Sequence, residues 1–143
     1  MRRQQGAAAV EFAMVGSVMI TLLIGIAGFA HWIFTMEMVA DATRTGARMA
    51  VVCDVNDATI MTAIQNKVPQ LQLQNAQVSL EYFPGGCNRT NCQTVRVSLT
   101  GATYSPWFSA GAASFPVPPF TTTLPRESME SVNAAGFANP VCS

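Results

Sequence analysis

The sequence predicts an α+β protein: a long N-terminal transmembrane helix, a second short helix and a small antiparallel sheet of about three strands, stapled by disulfides. Three observations predict it. Residues 12–34 hold no Asp, Glu, Lys or Arg. Two later segments, 77–83 and 94–100, alternate apolar and polar residues across a turn-rich link. All four cysteines, Cys53, Cys87, Cys92 and Cys142, lie C-terminal to the apolar run. These features divide the chain into a leader at 1–6, a spanning and amphipathic helix at 7–53, and an extracytoplasmic α+β domain at 54–143.

The apolar run sets the first element. At 1.5 Å per residue, 23 uncharged residues make a helix roughly 35 Å long, enough for a hydrocarbon core of about 30 Å. Half of the 143 residues are apolar, but they are concentrated at the N-terminus, and the remainder has the composition of a small soluble domain. Net charge is zero and no basic patch is present, so nucleic-acid binding has no electrostatic support. Arg2 and Arg3 precede the run, while the first charges beyond it are Glu37 and Asp41. Positive charge keeps its own side cytoplasmic. The expected topology is therefore a single pass through a membrane, with the N-terminus cytoplasmic and the domain on the far side. A secretory signal is the alternative, with Gly28, Phe29 and Ala30 as a small-x-small cleavage site, but signal cores run about 7–15 residues and this one is longer.

Along the helix, Ala9, Ala13, Ser17, Thr21 and Gly25 recur every four residues. Such a stripe lets a second helix approach closely in lipid or in a filament core. His31 and Trp32 read as an interface belt at the outer end. The helical pattern continues from Thr35 to Val52 through Met38, Val39, Ala42, Gly46 and Met49, with Glu37, Asp41, Arg44 and Arg48 in polar positions. Gly46 marks a candidate bend, since glycine costs about 1 kcal/mol relative to alanine in a helix.

Residues 54–57 break the helix. Asp57 caps a second one, Ala58 to Lys67, whose apolar side carries Ile60, Met61, Ile64 and Val68 and which Pro69 ends. A glutamine-rich connector, 71–75, leads to the hairpin, where Val78, Leu80 and Tyr82 share a face with Val95, Val97 and Leu99. Residues 104–120 are aromatic and rich in proline, which excludes a regular helix. Trp107 and Phe108 are expected to cover the core, with docking of a neighbour as the alternative. Residues 120–124 read as a third strand, and the tail to Ser143 is loosely specified. Asn88-Arg89-Thr90 matches a glycosylation sequon.

An even cysteine count in a small domain points to disulfides in an oxidising compartment. Of the three pairings, Cys87 with Cys92 staples the hairpin loop, and Cys53 with Cys142 ties the tail to the end of the long helix. A zinc site would need two more ligands, and the one histidine, His31, lies inside the apolar run, so no metal and no cofactor is expected. No spacing of Ser, Cys or His suggests catalysis, and the chain reads as no enzyme.

Glu11 is the feature that the anchor alone does not explain. An acid at a membrane helix end is costly and usually has a partner and a role. The segment Gly6-Ala7-Ala8-Ala9-Val10-Glu11-Phe12, behind Arg2, Arg3, Gln4 and Gln5, resembles the type IV prepilin cleavage motif: a basic leader, a glycine before the cut and a glutamate five residues after it. The hydrophobic phenylalanine-threonine-leucine-isoleucine block that commonly precedes the glutamate is absent. An alanine-rich block followed by Glu11-Phe12 is instead similar to the Tad/Flp (tight adherence) class, and most closely to its TadE-like minor pilins. The resemblance covers residues 2–50. The major pilins of that class are much shorter.

The resemblance implies a minor pilin or pseudopilin, a structural subunit in assembly or initiation of a pilus used for adhesion and biofilm formation. It implies a prepilin peptidase cutting between Gly6 and Ala7, with Glu11 and Phe12 serving assembly, Glu11 by pairing with a neighbour's new amino terminus. It also implies partners among other major and minor pilins, an inner-membrane assembly platform and an assembly ATPase. The rival readings are a membrane-anchored or secreted disulfide-stapled binding module, and a pseudopilin of the type II secretion kind.

Overall fold

The computed structural model describes residues 2–109 and 111–142, with side chains from Gly6 onward. Met1 and the side chains of Arg2, Arg3, Gln4 and Gln5 in the expected leader lie outside the described residues. One helix, α1 (Arg2–Val52), runs unbroken for 51 residues. Its two halves have different surroundings. From Val10 to Ile26 the large apolar side chains are exposed. From Thr35 onward one stripe is buried, through Val39, Ala42, Thr43, Ala47, Ala50 and Val51.

The buried stripe is built from small side chains, so the rest of the domain approaches the helix backbone closely. The two buried threonines do not strand a hydroxyl. Thr35 Oγ1 donates to the His31 carbonyl at 2.9 Å and Thr43 Oγ1 to that of Ala40 at 2.9 Å. Such satisfaction matters because an unpaired buried polar group costs about 1–3 kcal/mol.

Helix α2 (Ala58–Lys67) packs on this half of α1 through Ile60 and Ile64. Asp57 caps it by accepting from the Thr59 N–H at 3.0 Å and from the Thr59 hydroxyl at 2.8 Å. Ile64 lies directly over Gly46: a Cβ placed on that glycine would come within 2.6 Å of Ile64 Cγ1. Gly46 therefore serves close approach between the helices, and α1 continues through it. Lys67 Nζ pairs with Asp41 at 3.1 Å across the same junction.

The sheet has the order β1-β2-β5, all antiparallel, from β1 (Val78–Phe83), β2 (Thr94–Leu99) and β5 (Phe120–Pro125). Val78 faces Leu99, Leu80 faces Val97 and Tyr82 faces Val95. On the other side of β2, Leu124, Thr122 and Phe120 face Val95, Val97 and Leu99. Period-2 alternation puts these nine residues on one face, and β2 and β5 lie against α1. The opposite face is polar: Glu81 and Arg96 pair at 3.5 Å, and Ser79 and Ser98 bond at 3.0 Å. The connector carries two short 3-10 turns, with Leu71 and Leu73 buried and Gln65 Nε2 donating to the Leu73 carbonyl at 3.0 Å.

Cys87–Cys92 closes the β1–β2 loop, and Cys53–Cys142 joins the end of α1 to the tail. The tail is more ordered than its composition suggests. The amides of Glu127 and Met129 donate to the Val51 carbonyl, and that of Glu130 to Val52 at 2.7 Å. Helix ends leave carbonyls without intrahelical partners, and this segment supplies the donors. Met129, fully buried, sits at the centre of that contact.

The region around 104–120 adds a second two-stranded ladder, β3 (Thr103–Tyr104) with β4 (Phe115–Pro116), and one expectation for it fails. Trp107 and Phe108 do not cover the core. They are 65% and 50% exposed, and Phe108 lies over Gly28 of α1.

Candidate functional site

The expected assembly residues all lie on the uncovered half of α1. Among the described residues, nothing lies within 4 Å of the position of a Cβ added at Gly6, Gly16 or Gly25. Ala7 and Glu11 are four residues apart, so they sit one above the other on the same helix face, about 5–6 Å between Cβ atoms. Glu11 and Phe12 are exposed, and Glu11 has no ion-pair partner among the described residues.

Ala9, Ala13, Ser17, Thr21 and Gly25 are exposed as well. A four-residue step turns the helix by about 400°, so the stripe advances about 40° per step and winds nearly halfway round between Ala9 and Gly25. A helix following it must cross α1 at an angle, as small-residue contacts in membranes do. Its two hydroxyls are already satisfied. Ser17 Oγ donates to the Met14 carbonyl at 2.9 Å and Thr21 Oγ1 to that of Ser17 at 2.8 Å. In lipid, where water cannot serve, that removes the cost of carrying them.

The covered half begins at Gly28. Phe108 lies over it, its ring 2.5 Å from where a Cβ would stand. Gly28, Phe29, Trp32, Tyr104, Pro106, Phe108 and Phe115 line an apolar cleft of about 380 Å³. His31, expected in an interface belt with Trp32, has a specific partner: its Nδ1 lies 2.6 Å from the Tyr104 hydroxyl. Burial pushes the Tyr104 phenol above its ordinary value, so the hydroxyl stays protonated. The sequence reading missed this seat. Its signal was the absence of any charged residue between Arg96 and Arg126.

At the other end of the domain, Asp57 ties three segments together. Its Oδ2 accepts from the Ser131 hydroxyl at 2.6 Å, and Ser131 Oγ accepts from the Asp54 N–H at 2.9 Å. The Ser131 bond, then those from Thr59, hold the Asp57 carboxyl below its usual range. Tyr82, its hydroxyl accepting from the Asn56 N–H at 3.1 Å, is pushed up by burial. These contacts are structural. Among the described residues no group of His, Cys, Asp or Glu is placed to hold a metal ion.

The N-terminal segment is long and apolar enough to cross a membrane. Residues 6–48 match the model of a family described as TadE-like protein. No curated protein and no solved structure matches the chain.

Proposed function

With a TadE-like N-terminal helix as the premise, we propose that this chain is a minor pilin or pseudopilin of a Tad/Flp-type pilus, a structural subunit for assembly or initiation of the fibre and so for adhesion and biofilm formation. The observation that carries the reading is the placement of Glu11 one helical turn beyond Ala7, on a helix half that its own domain leaves bare. A prepilin peptidase cutting between Gly6 and Ala7 would create an amine at the positive end of the helix dipole. The carboxylate of Glu11, on this subunit or a neighbour, is its natural counter-charge. The small-residue stripe then gives neighbouring helices a close-packed path, with Phe12 beside the charge pair.

The partners are other major and minor pilins, the peptidase, and the inner-membrane platform with its ATPase. The topology is a single pass, leader cytoplasmic and domain periplasmic, with 1–6 as leader, 7–53 as helix and 54–143 as domain. The paired disulfides suit an oxidising periplasm. A secretory cut after Ala30 is disfavoured by the seat at Gly28: it would remove the glycine against which Phe108 packs.

The decisive measurement is the amino terminus of the mature protein in cells that make the fibre. Ala7 is expected. His31 would support the secreted alternative, and an unclipped Met1 would refute processing. Gly6→Ala should insert normally but keep its leader. Glu11→Gln should be processed yet fail to support fibre assembly.

A further inference from the structure

The chain contains two long stretches without a charged side chain, residues 12–36 and 97–125. The first is the apolar part of α1. The second is unusual for a domain surface, since all sixteen charges of the protein lie outside both stretches. The fold brings the two together, with Phe108 on Gly28 and Tyr104 bonded to His31. What the second stretch exposes there is aromatic: Trp107 at 65%, Phe108 at 50% and Phe115 at 50%, with Phe29 beside them on the helix. Trp107 and Phe108 meet edge to face at 5.7 Å.

The level of this patch along α1 follows from helix geometry. Gly28 lies seventeen residues beyond Glu11, about 26 Å at 1.5 Å per residue. If Glu11 marks one face of a hydrocarbon core about 30 Å thick, Gly28 stands about 4 Å short of the other face and Trp32, one turn further and in the same cleft, reaches it. Tryptophan and other aromatics concentrate at that level, where one part of the ring meets lipid and another meets water.

The backbone of the loop suits the same place. Pro106, Pro116, Pro118 and Pro119 have no N–H to satisfy. The Ser109 N–H donates to the Pro106 carbonyl at 3.0 Å and the Ala112 N–H to that of Ser109 at 2.8 Å. Irregular backbone is excluded from the lipid core itself but not from the headgroup layer.

We propose that the loop carrying Trp107, Phe108 and Phe115 is a second membrane contact: an aromatic wedge that enters the headgroup region of the outer leaflet beside α1 and fixes the domain's tilt and height. The occupant of this surface is the phospholipid bilayer. The proposal rests on the reading that α1 spans the membrane.

The test uses the full chain in vesicles of phosphatidylethanolamine and phosphatidylglycerol. Trp32→Phe leaves Trp107 as the sole tryptophan. Lipids brominated near the headgroup end of the acyl chain should quench its emission at least about twofold more than lipids brominated near the methyl end, as a shallow ring requires. If headgroup-proximal bromine leaves Trp107 unquenched, the wedge is refuted, whether water or a second subunit surrounds the ring. A parallel protein, Trp32→Phe and Trp107→Phe with Leu22→Trp, reports the span. Its tryptophan should be quenched best by the deep bromine. A quenched Leu22→Trp with an unquenched Trp107 removes the wedge alone. An unquenched Leu22→Trp removes the spanning reading, and the wedge with it.

Discussion

The two halves of α1 have the same helical geometry and opposite dependence on the rest of the chain. From Thr35 to Val52 the helix is one wall of a core: small residues face α2 and the sheet, and the last carbonyls accept from the tail. From Gly6 to Ala27 no described residue covers it, and its large apolar side chains stand exposed. An uncovered helix this apolar would not persist alone in water, since helices draw most of their stability from a packed face. The contrast teaches that one secondary element can carry two separate designs, one solved within the domain and one left for lipid or other subunits. Substitutions in the two halves should therefore fail in different assays.

The largest expected loss is at the staple behind the covered half. Cys53 and Cys142 close a loop with a sequence separation of 89. Loop-closure entropy gives roughly 4–5 kcal/mol for a bridge of this span and about 2 kcal/mol for a five-residue one such as Cys87–Cys92. The double variant Cys53→Ser, Cys142→Ser should lower the stability of the domain in urea unfolding of the micelle-held full chain about twice as much as Cys87→Ser, Cys92→Ser. Equal losses would mean that the tail is held chiefly by its backbone bonds to Val51 and Val52.

Next comes Gly46. Ile64 occupies the space that a side chain there would need. Overpacking of this kind typically costs about 1–3 kcal/mol, and Gly46→Leu should sit at the top of that range. An unchanged midpoint would mean that α2 is free to move off α1.

The difference between the halves also explains what was legible in the sequence. Residues 12–34 announce themselves by composition alone. The alternation of residues 78–83 and 94–99 is a local signal, and the register followed once the hairpin was recognised. Asp57 and Pro69 punctuate α2 at its two ends. Gly46 stands out in the sequence, but its contact does not, because its neighbour Ile64 is eighteen residues away and only the fold brings them together. Trp107 and Phe108 were assigned to the core because large aromatics usually belong there. Where a loop lies relative to a long helix is a tertiary fact, and so is the capping of α1 by residues 127–130. Glu11 is the reverse case. Its motif is plain in the sequence, while the fold adds only that nothing within the domain reaches it.

Asp57 yields a smaller, pH-dependent effect. Its folded pKa is depressed below the ordinary 3.8 by the bonds from Ser131 and Thr59. A depressed carboxylate contributes stability that is present above the unfolded value and lost as pH falls through the folded one. Domain stability should decline as pH drops below about 4, and Asp57→Asn should flatten that decline. At neutral pH, Asp57→Ala removes the cap of α2 and should cost about 1 kcal/mol. An unaltered acid limb in the Asn variant would assign the decline to other carboxylates.

The smallest effect on the domain is expected from the uncovered half, and it makes the sharpest use of the contrast. Gly25 has open space where a side chain would go, so Gly25→Leu breaks no contact within the chain. It also replaces glycine with a better helix former, a gain of under about 1 kcal/mol for α1. Urea unfolding of the domain should move by no more than about 0.5 kcal/mol, as for surface sites in general. The proposed role of the small-residue stripe predicts loss elsewhere: a leucine at Gly25 holds a neighbouring helix away, so cysteine crosslinking between α1 helices in the membrane should fall. Glu11→Gln should likewise leave domain unfolding alone. If Gly25→Leu crosslinks as well as the parent, the stripe is only the composition of a spanning helix, and the uncovered half needs lipid but no partner. If it unfolds the domain instead, the two halves are not separate designs, and α1 transmits along its length what the packing at Gly28 was taken to contain.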